Sequence, residues 1–278
     1  MNLGQGLARA GVAASVATLT TATTMAAPAP PRVLGFEMLG TLPVLSAQVE
    51  GRPVRLLLDT GGGAALALRP DVAAALAPAD VAASASAGAS SLASSPASAT
   101  APAPARLRLQ LGAGEPVELP AAMWRKSSYP PGIDGYLGWG YLRQFSVVLD
   151  YGRQQLELGP AGQLAPACGE ARAALKHLGS LPYVTVLQDG QPLPLGLDTG
   201  ANQNVLLAGR VPGAATAGER RALPATSWEG RPLALGGFQV IELQLPVLAG
   251  FLGHGFFATH RVCLDAQSAA VAIEPLAP

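Results

Sequence analysis

The chain carries one short motif twice, and this duplication constrains the fold more than any other feature. Leu56-Leu57-Leu58-Asp59-Thr60-Gly61 recurs 139 residues later as Leu195-Gly196-Leu197-Asp198-Thr199-Gly200. The surrounding segments 42–63 and 181–202 align without a gap and are identical at nine of 22 positions. In each copy an apolar strand delivers one carboxylate into a glycine turn. Two copies predict two related halves that bring two carboxylates together, a pattern that suggests acid–base chemistry.

A second repeat supports the first. Gly135-Tyr136-Leu137-Gly138-Trp139-Gly140 resembles Gly250-Phe251-Leu252-Gly253-His254-Gly255, at an offset of 115 residues. The first half is therefore 24 residues longer, and residues 78–105, almost entirely Ala, Ser and Pro, account for the excess. Such a stretch cannot bury enough apolar surface to order itself, so we interpret it as a flexible surface insertion.

Short apolar strands and tight turns predict an all-β fold with two lobes, residues 33–160 and 181–278, joined by a linker over 161–180. The 33 Gly and 25 Pro suit turns better than long helices. One short helix is predicted over 70–76, with Pro70 near its start. We expect the lobes to pack about a pseudo-twofold axis, as the subunits of an isologous dimer do. The predicted strands are Leu42–Val49, Pro53–Leu58, Arg106–Leu111, Ser146–Leu149, Gln155–Leu158, Tyr183–Gln188, Leu193–Leu197, Leu233–Leu235, Arg261–Leu264 and Ala270–Ile273, with Glu50-Gly51 and Asp189-Gly190 as hairpin turns.

The first 27 residues are predicted to be an export signal. Arg9 is their only charged residue, Ala10–Leu19 is small and mostly apolar, and Met25-Ala26-Ala27 offers a cleavage site. The alternative is a disordered leader on a cytosolic protein. The formal net charge is zero, and the absence of a basic stripe argues against nucleic acid as a partner. No later segment approaches the ~20 consecutive apolar residues of a membrane helix.

Cys168 and Cys263 are the only cysteines in the sequence. Two interpretations stay open: one disulfide in an exported protein, or two separate buried thiols. The histidines and cysteines show no metal-ligand spacing, and the three histidines form no HExxH pattern. We therefore expect neither a metal ion nor another cofactor.

The order and spacing of the two repeats resemble those of the retropepsin-like aspartic proteases. In these proteins an Asp-Thr-Gly turn is followed by a Gly-apolar-Leu-Gly segment, and the bacterial exported members show the closest resemblance. Their second element typically reads Gly-Ile-Leu-Gly-x-x-Phe-Leu before Val-x-Leu-Asp-Tyr, which Gly135–Leu142 and Val148–Tyr151 match in part. The resemblance implies an all-β, two-lobed, pepsin- or retropepsin-like closed barrel. It also implies a single-chain monomer that is periplasmic or secreted.

The same resemblance implies a role for each motif residue. Asp59 and Asp198 would be the catalytic pair, acting on a peptide or protein substrate. The two threonines would hydrogen-bond across the axis, the two glycines would permit close approach of the turns, and the Leu-Gly pairs would pack behind them. These implied supporting residues are Thr60, Thr199, Gly61, Gly200, Leu137, Gly138, Leu252 and Gly253.

Two neighbouring carboxylates cannot both ionise cheaply, so one proton is shared by the pair. The ionised member can activate a water that attacks the peptide carbonyl, while the protonated member donates to the carbonyl oxygen. We expect acid pH to favour this reaction.

Two features depart from the family pattern: Gly62 stands where Ala or Ser is usual, and the region expected to form the first flap coincides with the insertion. Residues 213–232 are the candidate for a second flap.

Two other functions stay open. A cleft that lacks a working flap would be a peptide-binding module. Asp-Thr-Gly-Gly-Gly at residues 59–63 also resembles the phosphate-binding turn of sugar-kinase and actin-like ATPases, whose folds need alternating helices and strands.

Other polar and aromatic residues are given structural roles. We interpret Asp150 and Asp265 as turn residues and His254 as a packed histidine. Three aromatic residues either line the cleft or pack inside the protein: Trp124, Tyr129 and Trp139.

Overall fold

The computed structural model describes residues 30–76, 106–125, 130–210 and 216–276. The predicted signal peptide, the predicted insertion and Tyr129 lie outside these ranges. Within them the chain is almost entirely β-structure, as the sequence predicts, with twenty-two strands and three short helices. The longest helix, Pro70–Leu76, confirms the single predicted helix.

The described residues of the first half form ten strands and two helices, in the order β1 Arg32–Gly35, β2 Glu37–Leu39, β3 Leu42–Val49, β4 Arg52–Asp59, β5 Leu66–Leu68, α1 Pro70–Leu76, β6 Arg106–Leu111, β7 Val117–Met123, β8 Gly135–Gly138, α2 Trp139–Leu142, β9 Ser146–Asp150 and β10 Gln155–Gly159. The second half contains β11 Arg172–Ala174, β12 Lys176–Leu178, β13 Leu181–Gln188, β14 Gln191–Leu197, β15 Asn204–Leu207, β16 Arg220–Ala222, β17 Thr226–Trp228, β18 Arg231–Pro232, β19 Gly237–Ile241, β20 Gly250–Leu252, α3 His254–Phe257, β21 His260–Asp265 and β22 Ala270–Pro275.

The hairpin before each motif is formed as predicted. Glu50 and Gly51 have φ values of 49° and 76°, and Asp189 and Gly190 repeat these values. Two successive residues with positive φ turn the chain with the twist of the flanking strands, and a short acidic residue followed by glycine tolerates that backbone. The turn therefore sets the same register in β3–β4 and in β13–β14.

Each half builds its own sheet with matching pairings. The first-half sheet has the order β2-β3-β4-β8-β5-β7-β6, and the second-half sheet has the order β16-β19-β15-β20-β14-β13-β17-β18, with β12 added on β13. In both, the motif strand pairs in parallel with the Gly-apolar-Leu-Gly strand, which is β8 or β20. That strand in turn pairs antiparallel with β5 or β15.

The third sheet joins the halves. Its order is β1-β10-β9-β21-β22-β11, with three strands from either half and the β9–β21 pairing at its centre. Strands β9, β10 and β1 follow one another outward from the centre on one side, as their equivalents β21, β22 and β11 do on the other. This symmetry confirms the predicted two-lobed arrangement about a pseudo-twofold axis. Strands β11 and β12 lie in residues 161–180, so this connection also adds strands to two sheets.

The motif strands are buried on both faces. Leu56, Leu57 and Leu58 are at most 2% exposed, and Leu195 and Leu197 are fully buried. Continuous apolar runs are typical of strands covered on both sides. Burial on both sides holds each strand rigidly and fixes the position of the aspartate at or just beyond its end.

One predicted strand is wrong. Leu233–Leu235 lies between β18 and β19 and forms no strand. Leu233 and Leu235 are nevertheless buried, at 5% and 2% exposure. The alternation of apolar and small residues predicted the buried side chains correctly. Gly236, however, has a φ of 76° and turns the chain, so no strand pairing extends through this segment.

The ATPase-like alternative does not fit this architecture. That alternative requires helices that alternate with strands, whereas the described residues form three helices of at most seven residues. The glycine turn after Asp59 leads into β-structure of a sheet rather than into a helix.

The two cysteines form a disulfide, which decides between the two interpretations left open by the sequence. Cys168 and Cys263 are bonded, with their Cα atoms 6.2 Å apart and 95 residues of separation. Both are buried, against Val148, Leu164 and Ala272. The bond fastens the connection between the halves to β21 of the shared sheet.

We expect the Cys168→Ala/Cys263→Ala double variant to be less stable by about 4–5 kcal/mol, because the bond closes a long loop in the unfolded chain. Urea unfolding of the purified protein measures the loss. The unaltered protein under reducing conditions is the control and should approach the variant. Equal midpoints for the oxidised protein and the variant would contradict this expectation.

His260, at the start of β21, gives a second prediction. Burial lowers its pKa, and a smaller opposing effect comes from its contact with the Phe256 carbonyl. The folded protein therefore protonates this ring at a lower pH than the unfolded chain does, whose histidine binds a proton below about pH 6.5. The free energy of unfolding should therefore fall as the pH drops below that value.

Substituting His260→Gln should make this acid-induced loss shallower, because glutamine binds no proton in either state. Urea midpoints of both proteins between pH 5 and 7.5 measure the difference. Parallel pH curves would show that His260 does not contribute.

Candidate active site

The two glycine turns reach the same place from opposite lobes. Asp59 ends β4 beside Gly138 of β8, and Asp198 follows β14, where its N–H donates to the Leu252 carbonyl over 3.0 Å. Gly138 packs against the carbonyls of Gly62 and Ala64, and Gly253 packs in the equivalent way against those of Ala201 and Gln203. A side chain at either glycine would collide with the turn, so the Leu-Gly pairs support the turns from behind.

Two fully buried threonines connect the turns. The Thr60 hydroxyl donates to the Leu197 carbonyl over 2.7 Å and accepts the Thr199 N–H over 3.0 Å. The Thr199 hydroxyl donates to the Leu58 carbonyl over 2.6 Å and accepts the Thr60 N–H over 2.9 Å. The hydroxyl and the N–H of each threonine therefore have a partner from the other half.

The two carboxyl groups face the opposite turn. A Cβ on Gly61 would lie 2.6 Å from the Asp198 carboxyl carbon, and one on Gly200 would lie 2.7 Å from the Asp59 carboxyl carbon. Only glycine leaves room for this contact. Because each carboxyl group touches the turn that carries the other, both acids lie at one site on the pseudo-twofold axis.

Backbone N–H groups orient both carboxylates. The Gly62 N–H donates to Asp59 Oδ1 and the Gly200 N–H donates to Asp198 Oδ1, each over 2.9 Å. Both aspartates are partly exposed. Half-buried carboxylates held by N–H donors can therefore still be reached by water and by a ligand.

Two tyrosines near the acids had no role in the sequence interpretation. Burial raises the pKa of Tyr136, and the negative charge of Asp59 raises it further. Burial also raises the pKa of Tyr151 well above its ordinary value, with further contributions from Asp198 and Asp59. One buried tyrosine thus experiences the charge of both acids, which agrees with their convergence.

These tyrosines differ in their packing. Tyr136 covers the first turn, because a Cβ on Gly62 would lie 2.5 Å from its ring. Tyr151 is stacked on Phe257 at a centroid distance of 5.5 Å. Tyr136 belongs to the repeated Gly-apolar-Leu-Gly segment expected behind the first turn, which was a signal for its position. The proximity of Tyr151 to the acids follows from the pairing of distant strands, which no local signal reveals.

The remaining singled-out residues have packing or turn roles. Asp150 accepts the Arg153 N–H and pairs with Arg261 at 3.0 Å, and Asp265 accepts the Ser268 N–H over 2.7 Å. Trp124 and Trp139 are buried rather than cleft-lining, with exposures of 5% and 0%. Trp124 packs edge-on against Tyr136, Trp139 stacks on His177, and the ring of His254 lies beside that of Tyr151.

No helix in the described part of the chain is long and apolar enough to span a membrane. Across the same residues, no group of three or more His, Cys, Asp or Glu side chains could hold a metal ion.

The threonine junction should be sensitive to loss of either hydroxyl. We expect Thr60→Val or Thr199→Val to lower the free energy of unfolding by about 2–4 kcal/mol, because each change leaves a buried carbonyl and a buried N–H without a partner. The matched Thr→Ser variants keep the hydroxyl and should lose less. Urea unfolding measures all four proteins, and equal losses for valine and serine would contradict the expectation.

Comparison with known proteins bears on the fold. No protein-family profile matches the sequence, and no curated protein matches it either. Among solved structures, the aspartic proteinase from Irpex lacteus is similar with a TM-score of 0.54 at 11% identity, covering 89% of this chain and 98% of that one. Basic 7S globulin from soybean is similar with a TM-score of 0.51 at 13% identity, covering 88% and 94%. The chain therefore has the two-lobed, pepsin-like β-fold of the aspartic proteinase from Irpex lacteus.

Proposed function

We propose that this protein is an aspartic endopeptidase of the retropepsin-like kind, with Asp59 and Asp198 as its catalytic pair. The observation that carries the proposal is the reciprocal contact in which each carboxyl group lies against the glycine of the opposite motif. A single carboxylate in a glycine turn is common as a structural feature. Two that converge from duplicated halves fit a reaction that requires one acid and one base.

The chemistry follows from that arrangement. Carboxylates that share a site cannot both carry a charge cheaply, so the pair holds one proton over a range of acid pH. The ionised member removes a proton from a water between the turns, and that water attacks the carbonyl carbon of the peptide. The protonated member donates to the carbonyl oxygen, and a proton then passes to the leaving amine as the C–N bond breaks. Neither a covalent intermediate nor a cofactor is needed.

The same proposal includes an exported, single-chain monomer. A buried disulfide supports export, because such bonds persist in oxidising compartments. The charge-poor leader at residues 1–27 supports it as well. In this proposal residues 33–160 and 181–278 form the lobes and 161–180 connects them.

A second candidate is a peptide-binding module of the same fold that does not cleave its ligand. The structural similarity to a protein named as a globulin supports retaining this alternative, because a fold does not by itself imply catalysis. The glycines at positions 62 and 63 also give the first turn more backbone freedom than the second turn has.

We expect Asp59→Asn and Asp198→Asn each to lower the rate of peptide cleavage by at least about 10³-fold, because each removes one partner of the acid–base pair. Cleavage of a proteome-derived peptide mixture between pH 3 and 7, followed by mass spectrometry, measures the rates. The matched control is Asp189→Asn, the same change in a hairpin turn, which should retain full activity. Absence of cleavage by the folded, unaltered protein across that pH range would favour the binding module.

A further inference from the structure

A cavity beside the second motif is lined by cationic and amide side chains, and the proposed catalytic pair does not explain their presence. It has a volume of about 510 Å³ and is bordered by Asn202 and Gln203, by Arg220 and Arg221 of β16, and by His254. Asn202 comes four residues after Asp198. The His254 N–H donates to the Ala201 carbonyl over 3.0 Å, so the side of the cavity that carries His254 is joined directly to the turn that carries the acid.

Asn204 makes the floor of this cavity rigid. It is 1% exposed, and its side-chain amide donates to the Leu235 carbonyl over 2.7 Å. Its carbonyl oxygen accepts the N–H groups of Gly253 and Phe256 over 2.9 and 3.1 Å. One buried amide thereby ties β15 to the start of α3 and to the loop before β19, and this fixes the walls relative to Asp198.

The charge of the cavity has one sign. Two guanidinium groups border it, and its described lining includes no aspartate or glutamate. Arg220 is exposed and takes part in no ion pair within the described ranges. Asn202 and Gln203 are also exposed, and their amide groups add hydrogen-bond donors. Guanidinium and amide donors in one cavity are suited to a carboxylate.

The described positions of the first half that match this part of the second half carry different side chains. At the positions that match Ala201–Asn204 the first turn has Gly62-Gly63-Ala64-Ala65, and Trp139 stands where the second half has His254. The surroundings of the second turn are therefore polar and cationic, whereas the matching positions after the first turn are glycine and alanine. A substrate peptide held between the two turns would meet the cationic surroundings on one side of its scissile bond only.

We propose that this cavity is a specificity site that receives an Asp or Glu side chain of the peptide substrate, on one side of the cleaved bond. Arg220 and Arg221 are its charge-recognising residues, and the amides of Asn202 and Gln203 complete the contact. The inference rests on the proposed endopeptidase function.

The first test uses a proteome-derived peptide library that the unaltered protein cleaves. Asp and Glu should be enriched at one subsite, on one side of the scissile bond. In a matched peptide pair that differs by Glu or Gln at that subsite, kcat/KM should favour Glu by about tenfold, the size of a charge-assisted hydrogen bond. The preference should shrink at high salt, because Arg220 is exposed and its charge is screened by ions.

Substitutions of the two arginines test whether the cavity causes this preference for an acidic residue. Arg220→Gln should reduce it and Arg220→Gln/Arg221→Gln should abolish it, while cleavage of the Gln peptide continues. Arg220→Glu/Arg221→Glu should shift the preference toward Lys. The control is Arg172→Gln, an exposed arginine of β11 outside the cavity, which should leave the preference intact. An unchanged preference in the double Gln variant, or cleavage with no acidic preference, would overturn the proposal.

A binding measurement separates this inference from the proposed function. The Asp59→Asn/Asp198→Asn protein is titrated into the same labelled peptides and followed by fluorescence anisotropy. Tighter binding of the Glu peptide, lost in the added Arg220→Gln/Arg221→Gln background, supports the cavity even if no peptide is cleaved. Equal affinities for the Glu and Gln peptides overturn it, whether or not the protein is an enzyme.

Discussion

The hydrogen bonds between Thr60 and Thr199 are the constraint on which the rest of the structure depends. Each hydroxyl is fully buried, donates to the carbonyl that precedes the opposite aspartate, and accepts the opposite threonine N–H. Unsatisfied polar groups at that depth would cost about 1–3 kcal/mol each. The two turns are therefore stable in one mutual position, and that position brings the two carboxyl groups to the axis.

The surrounding architecture maintains this junction. The β9–β21 pairing makes one sheet out of strands from both halves, and the disulfide fastens the connecting segment to the same sheet. Behind each turn a glycine of the Leu-Gly pair lets the neighbouring backbone approach without a side chain between them. The shared sheet, the disulfide and the close glycine contacts act together to hold the acids in position.

The backbone symmetry contrasts with the chemistry of the side chains around it. Tyr136 and Trp139 stand where the second half has Phe251 and His254, and the sequences after the two turns also differ. In the proposed function this difference matters, because a peptide has a direction and unlike surroundings on its two sides would favour one orientation. The duplication supplies two equivalent acids, while divergence of their neighbours supplies different surroundings for the two sides of a ligand.

Much of the fold could be predicted because its strongest signals are local. An acidic residue followed by glycine between alternating runs specifies a hairpin, and the repeated spacing relates one half to the other, as Glu50-Gly51 and Asp189-Gly190 illustrate. Leu233–Leu235 misled the prediction because apolar alternation reports burial, whereas a strand also needs a neighbour for its backbone. The candidate acids could be named because each lies in a repeated motif.

Other features depend on contacts between residues far apart in the chain. The sequence alone determined that there are two related β-rich halves, each with one aspartate in a glycine turn. Tertiary structure decided that Cys168 bonds Cys263, that Tyr151 lies within the field of both acids, and that Arg220 borders the second turn. The physical reason is that turn geometry and strand burial are encoded over a few neighbouring residues, whereas the distance between two side chains is set by how whole sheets pair and pack.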